Sequence, residues 1–108
     1  MSRAWILLFI ASLFEVLWAI CLKKAEGWSN LPWSLAVAVV TPVALWILVL
    51  AMRSLPVGTA YAVFTGIGAV GTVLIGTLVL KEPMSPLKLA SFLLVIVGLI
   101  GLKLTSPE

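Results

Sequence analysis

Glu15 is the residue whose type and position point most directly to chemistry. It lies inside the apolar segment 4–22, where the thiol of Cys21 is the only other ionisable side chain. On a helix that rises about 1.5 Å per residue, its carboxyl lies on the order of 10 Å from the nearer end of that segment. Intramembrane acids are costly, and they mostly face a cavity on a proton or ion pathway. The alternative is a structural acid that is buried neutral and hydrogen-bonded.

The residues around Glu15 favour cation binding. Ser12 and Trp18 lie three residues to either side of it, and residues at this spacing share one helical face. A carboxylate beside an aromatic face recognises organic cations by ion pairing and by cation–π attraction. Burial disfavours the charged carboxylate, so a proton and a cation would compete for it. We therefore predict that Glu15 is the shared proton and substrate site; for Trp18, lipid contact or packing is the alternative.

Membrane-spanning helices must position this acid. The 108 residues are 63% apolar and only 10% charged, whereas soluble domains carry about 25% charged residues. A membrane span needs about 20 mainly apolar residues. The apolar runs predict an all-α integral membrane protein, with one four-helix transmembrane domain over 1–108 and spans at about 4–22, 31–52, 57–80 and 87–104.

Little remains outside these spans, so any function must lie within the bilayer. The first span is not predicted to be a signal peptide, because it contains an acid and lacks a small-x-small cleavage motif. Cys21 is expected to be a small apolar filler, since a single cysteine forms no internal disulfide. The chain has no histidine and one cysteine. We therefore predict that it is not an enzyme and has no cofactor, no metal site and no nucleic-acid partner.

Basic residues are distributed almost evenly between the two sides of the predicted bundle. The side of the termini carries three and the opposite side four: Arg3, Arg53 and Lys103 against Lys23, Lys24, Lys81 and Lys88. The bias of Lys and Arg near the spans sets orientation, and a difference of one is a weak bias. We predict insertion in both orientations and an antiparallel, dual-topology dimer, a two-chain version of the inverted repeats of transporters.

The third span contains GIGAVG, from Gly66 to Gly71, which matches the GxGxxG dinucleotide fingerprint in its letters. No strand signal precedes it, and no acid follows about 20 residues later, so a dinucleotide site is rejected. In a membrane helix, such small residues allow close packing and local bending. Tyr61 and Phe64 are one turn apart and precede these glycines on the same helix, and we expect them to reach a central cavity.

Three blocks, FEVLWAICLK, LPVGTAYAVFTGIGAVG and GLIGLKLTS, resemble the small multidrug resistance family, specifically its guanidinium exporter subtype, over essentially the whole chain. The resemblance implies an antiparallel dimer in which two Glu15 carboxyls line one cavity. It implies further roles at six positions: substrate contacts at Trp18 and Tyr61, bending at Gly66 and Gly68, and dimer contacts near Gly98 and Gly101.

Three positions depart from the pattern that the resemblance implies. Phe64 stands in place of a Trp, Ala44 in place of a Ser that supports the acid, and Ser12 in place of a small Gly. We expect Ser12 to supply near Glu15 the hydroxyl that Ala44 lacks, although this hydroxyl can instead bond its own helix backbone. The predicted substrate contacts are thus Ser12, Trp18, Ala44, Tyr61 and Phe64. Space at Ala44 and Phe64 would suit a guanidinium that bears an additional group.

These residues and the resemblance imply a proton-coupled antiporter of the bacterial inner membrane that exports guanidinium or a small substituted guanidinium. Its partners would be the cationic substrate, protons, membrane lipid and an identical chain, with a related subunit as the alternative partner. A planar guanidinium presents paired N–H donors to a carboxylate, so its binding would displace protons. The alternative functions are a polyspecific exporter of quaternary ammonium or other hydrophobic cations, a cation channel and a non-transporting scaffold.

Overall fold

The computed structural model describes residues 2–106, which fold into four helices. They are α1 (Arg3–Lys24), α2 (Leu31–Ala51), α3 (Val57–Leu78) and α4 (Pro86–Thr105). Each helix begins and ends within two residues of a predicted span, and each is long and apolar enough to cross a membrane. The predicted all-α fold with four transmembrane helices is confirmed.

Polar caps and prolines determine where the helices begin. Ser2, Asn30 and Ser85 cap α1, α2 and α4 by accepting a hydrogen bond from the backbone N–H three residues later. Pro32 and Pro86 lie in the first turns of α2 and α4. Proline is tolerated there because a first-turn N–H has no intrahelical acceptor.

The core of the single chain lies along α1. This helix packs against α2 and α3, whereas α4 packs mainly along α3 and none of its described residues is buried. The buried cluster draws on α1, α2, α3 and the α2–α3 turn, with Ala4, Trp5, Leu8, Ala11, Leu48, Ala51, Leu55, Ala60, Val63 and Phe64 as its members. The fold therefore surrounds one face of α1 with protein and leaves α4 at the edge.

Glycines on α3 let neighbouring helices approach its backbone. A Cβ added at Gly66 would lie 2.5 Å from Cδ2 of Leu99 on α4, and one at Gly71 would lie 2.5 Å from Cγ2 of Val16 on α1. Side chains of α1 and α4 thus occupy the space that these glycines leave open. This is how membrane helices commonly associate, because burying apolar surface against another helix gains little in lipid.

Candidate cation site

An open cavity of about 270 Å³ lies between α1, α2 and α3 and is lined in part by Glu15. Its volume is below the range of about 300 to 1,000 Å³ that is typical of sites for drug-sized ligands. The lining residues on each helix are one to four positions apart: Glu15, Trp18, Thr41, Ala44, Leu45, Tyr61, Phe64 and Thr65. One face of each of the three helices therefore converges on the acid.

The carboxyl of Glu15 rests against the backbone of α3 at Gly68. A Cβ added at Gly68 would lie 2.7 Å from Cδ and 2.8 Å from Oε2 of Glu15. Real Cβ atoms do not approach other atoms this closely, so any larger residue at position 68 would displace the carboxyl. Gly68 thus contributes to the site by making room for the acid.

One carboxylate oxygen of Glu15 is left to bind something other than the chain. Oε2 is buried, and no group within residues 2–106 donates a hydrogen bond to it. Every Lys and Arg of the four helices lies in a first or last turn, away from Glu15. A buried acceptor without a partner is costly. A proton or a cationic ligand would satisfy this oxygen.

Trp18 lies beside Glu15 in the cavity lining. Its indole Nε1 is buried, and no acceptor for it lies in the described part of the chain. An indole N–H donates only, and a guanidinium also only donates, so these two groups cannot bond each other. Trp18 would therefore contribute to the predicted cation binding through the negative face of its ring.

Two threonines give the cavity hydroxyl oxygens whose protons are already engaged. Thr41 Oγ1 donates to the carbonyl of Val37 at 2.8 Å, and Thr65 Oγ1 donates to the carbonyl of Tyr61 at 2.8 Å. A hydroxyl that donates to its own helix keeps only acceptor capacity for a ligand. Acceptors of this kind match the N–H donors of a guanidinium.

Aromatic rings form the α3 wall of the cavity. The ring centroids of Tyr61 and Phe64 are 6.4 Å apart, and their planes are tilted by 40°. Phe64 is buried, while Tyr61 is 56% exposed in the single chain. Together with Trp18, these rings make most of the lining apolar and suited to a delocalised or hydrophobic cation.

Comparison with known proteins identifies the family. The model of the family described as Small Multidrug Resistance protein matches residues 3–103. The chain belongs to the small multidrug resistance family. The resemblance predicted from the sequence is thereby confirmed.

The relatives of this small multidrug resistance protein include guanidinium exporters of Escherichia coli (strain K12), Yersinia pestis and Citrobacter freundii. Each is 50% identical to it over 103 residues, which is 95% of this chain. The match covers 98%, 99% and 98% of those three proteins, respectively. Its four apolar helices and its family confirm the predicted location, as a multi-pass protein of the bacterial inner membrane.

Most of the predicted site residues of this family member come together. Trp18, Ala44, Tyr61 and Phe64 all line the cavity that contains Glu15. Gly68 also lies at this site, against the carboxyl. Ligand contact by these residues stays a prediction, as does bending of α3 at Gly66 and Gly68.

Ser12 lies elsewhere. It is fully buried, it is not part of the cavity lining, and its hydroxyl donates to the carbonyl of Leu8 at 2.7 Å. A hydroxyl has one proton, so this bond leaves none for Glu15. The structure favours the alternative in which Ser12 bonds its own helix backbone.

Sequence reasoning missed Thr41, Leu45 and Thr65, which line the same cavity. The signal was present in the spacing of the residues. Thr41 and Leu45 are three residues before and one after Ala44, and Thr65 is four residues after Tyr61. Extending the faces of Ala44 and Tyr61 by one turn would have found Thr41 and Thr65, and Leu45 follows Thr41 by four residues on the same face.

The glycines of α4 do not meet other parts of the chain. A Cβ added at Gly98 or Gly101 would meet nothing within 4 Å in the described structure. In this family member the glycine face of α4 is open, which is compatible with the predicted role in dimer contact.

Proposed function

We propose that this chain exports guanidinium, or a small substituted guanidinium, in exchange for protons that compete for the same carboxyl group. The observation that carries the proposal is the position of Glu15. Its Oε2 atom is buried without a hydrogen-bond donor among residues 2–106, and Glu15 lines a cavity that has no basic residue in its lining. The three guanidinium exporters that are 50% identical to the chain support the choice of substrate.

The chemistry follows from the donors and acceptors of the cavity. A guanidinium can direct two parallel N–H groups at the Glu15 carboxylate and the others at the hydroxyl oxygens of Thr41 and Thr65. The ring of Trp18 can cover the face of the planar cation. Protonation of Glu15 removes the ion pair, so a proton arriving from outside releases the substrate.

The proposal includes an antiparallel homodimer in which both Glu15 carboxyls face one shared cavity. Two observations support it: the open glycine face of α4 at Gly98 and Gly101, and the near-even count of basic residues on the two sides. Two inverted copies make the inward-open and outward-open states equivalent by symmetry. A related subunit in place of the second copy remains the alternative.

A second candidate function is favoured by the aromatic walls of the cavity. Trp18, Tyr61 and Phe64 offer three π faces, whereas Glu15 is the only charged group of the lining. A hydrophobic quaternary ammonium has no N–H donor, and it would be bound by these faces and by the charge of Glu15. Such an ion would gain little from the threonine oxygens.

The decisive experiment measures uptake into proteoliposomes that are acidic inside and contain the purified protein. Guanidinium, guanylurea and tetrapropylammonium are offered outside in parallel. We expect the pH gradient to drive uptake of the first two, and Glu15→Gln to abolish both binding and uptake. Glu26→Gln is the matched control, because Glu26 is an exposed acid in the α1–α2 turn; it should transport normally.

Each alternative gives a different result in this experiment. Coupled transport that persists in Glu15→Gln would end the mechanism. Guanidinium flux that neither saturates nor responds to the pH gradient would indicate a channel, and uptake of tetrapropylammonium alone would establish the second candidate. No flux of any of the three cations would indicate a scaffold.

The pH dependence has a definite sign. Because the cation binds the carboxylate and not the carboxylic acid, guanidinium affinity should fall as the pH is lowered. Where Glu15 is mostly protonated, the apparent Kd should rise about tenfold for each pH unit if one proton is displaced. Equilibrium binding at several pH values measures this slope, and a flat profile would contradict competition at Glu15.

A further inference from the structure

We propose that a second site, at the end of the bundle where α1 begins and α2 ends, binds the phosphate group of an anionic phospholipid. An open cavity of about 390 Å³ lies there. We call it the arginine cavity, and its lining consists of Arg3, Ala4, Leu7, Leu50, Arg53 and Ser54. It shares no lining residue with the Glu15 cavity.

No acid among residues 2–106 neutralises the charge of the arginine cavity. Arg3 and Arg53 both line it. Of the acids in residues 2–106, Glu15 lies within α1. Glu26 follows the C-terminal end of α1 and Glu82 follows that of α3, and both of these helix ends lie on the opposite side of the bundle from the arginine cavity. This end of the bundle therefore has two guanidinium groups at one cavity and no described carboxylate. Guanidinium groups bind phosphate in a bidentate manner.

The lysines at the opposite end have different surroundings. There, Lys24 Nζ lies 5.6 Å from the centroid of the Trp33 ring, and Lys88 Nζ donates to the carbonyl of Pro83 at 3.2 Å. Glu26 and Glu82 lie at this same end. The two ends thus differ in the balance of charge, although each carries several cations.

The backbone around the arginine cavity also favours an anion. The first turn of α1 contains no acidic residue, and its N–H groups carry the positive end of the helix dipole. The carbonyl groups that end α2 would repel a phosphate, but three of them already accept hydrogen bonds from the chain. Met52, Arg53 and Ser54 donate their N–H groups to the carbonyls of Leu48, Leu50 and Ala51 at 3.0, 3.3 and 3.3 Å.

The depth of the lining identifies a lipid as the source of the phosphate. The arginines lie where two membrane spans end, which is the level of the headgroups. Leu7 follows Arg3 by four residues and Leu50 precedes Arg53 by three, so each leucine lies about one turn deeper on the same face. The cavity thus presents charge at the headgroup level and apolar surface beneath it. A free phosphate ion would not use this apolar part.

The test compares two variants that carry the same charge. The double variant Arg53→Gln, Lys23→Gln removes one basic residue from each side of the bundle. Two basic residues then remain on the side of the termini and three on the opposite side, so the weak orientation bias is kept. Lys103→Gln with Lys23→Gln has the same count but an intact arginine cavity. Native mass spectrometry of each purified protein measures retention of dioleoylphosphatidylglycerol, dioleoylphosphatidylcholine and inorganic phosphate.

We expect the Arg53 variant to bind phosphatidylglycerol about tenfold more weakly than the Lys103 variant, which should behave like the unchanged protein. Phosphatidylcholine, whose choline neutralises the phosphate, should be retained weakly by all three. Arg3→Gln with Lys24→Gln gives an independent second measurement if the first variant fails to fold. Equal lipid retention by the cavity and control variants, or occupancy by inorganic phosphate alone, would overturn the proposal.

Discussion

The helices α1 and α4 are similar in length and apolarity, yet the chain packs one and leaves the other exposed. α1 contributes buried residues along its length, whereas no described residue of α4 is buried. The glycines beside them differ in the same way. Side chains of α1 occupy the space beside Gly68 and Gly71 of α3, whereas a Cβ at Gly98 or Gly101 of α4 would meet nothing within 4 Å.

This difference indicates how the membrane protein divides its contacts. Lipid chains are as apolar as leucine, so an exposed apolar helix needs no partner, and helices associate where small residues permit close packing. The glycines of α3 are used within the chain to hold Glu15 and Val16. Those of α4 are unused in one chain, and a second chain can use them.

Among substitutions that keep Glu15, the largest expected effect comes from filling the space beneath its carboxyl. Alanine at Gly68 would place its Cβ 2.7 Å from Cδ of Glu15, so the carboxyl must move. The carboxyl is the far end of a flexible side chain, so the fold can absorb this move, but the acid leaves the position against Gly68. We expect Gly68→Ala to reduce guanidinium binding about tenfold or more and to reduce transport accordingly. Isothermal titration and uptake into proteoliposomes measure the two losses.

Gly58→Ala is the matched control for this prediction. It lies on the same helix, and a Cβ there would meet nothing within 4 Å. It should bind and transport like the unchanged protein, which separates contact with Glu15 from a general effect of alanine on α3. Normal transport by Gly68→Ala would show that the carboxyl does not work in the position seen here.

The second prediction tests the open face of α4. A Cβ at Gly98 would meet nothing within 4 Å in the described single chain, but leucine there would separate two α4 helices that meet at this glycine. We expect Gly98→Leu to leave helix content unchanged and to reduce the dimer fraction several-fold, measured by cross-linking in detergent. Val97→Leu, at the exposed neighbouring position, is the control. An unchanged dimer fraction would place the dimer contact elsewhere.

The four helices could be predicted because the necessary information is local. Length and apolarity identify a membrane span without knowledge of its neighbours. The spacing of Glu15 and Trp18 on one helix also follows from periodicity alone, and the structure places both in one cavity. The position of Gly68 relative to Glu15 depends instead on the rotation and height of α3 against α1. The sequence therefore suggested bending at Gly68 but not its contact with the acid.

The arginine cavity could not be predicted for a related reason. Arg3 and Arg53 are distant in the chain, and each on its own is an ordinary cation at the end of a span. Only the packing of the start of α1 against the end of α2 brings both to one cavity. Counting charges by side assigned them to the same side, but it did not indicate that they share a binding surface.

A third prediction concerns orientation, which the comparison of α1 with α4 leaves open. With Cys21 replaced by alanine, single cysteines at Ser29 and Ser54 mark the two opposite sides, since both positions are exposed in turns. Because the basic residues divide three against four, we expect each cysteine to be labelled from both sides in comparable amounts. Labelling of each position from one side only, at native expression, would instead favour a heteromeric partner.

The smallest expected effect is at Ser12, which lies on the buried side of α1. Its hydroxyl donates to the carbonyl of Leu8, and this carbonyl also lies within reach of the helical N–H of Ser12. Alanine removes only the extra donor and has a higher helix propensity. We therefore expect Ser12→Ala to change the free energy of unfolding by less than about 0.5 kcal/mol and to leave the pH profile of guanidinium binding unchanged.

Ala44→Ser provides the contrasting substitution. Ala44 lines the cavity with Glu15, so a hydroxyl there can donate to the carboxylate, stabilise its charged form and extend guanidinium binding to lower pH. Equilibrium binding between pH 5 and pH 8 compares the two variants directly. A shift of the Ser12→Ala profile toward higher pH, partly reversed by adding Ala44→Ser, would show that Ser12 supports Glu15 after all. In that case its hydroxyl would have to leave the Leu8 carbonyl during transport.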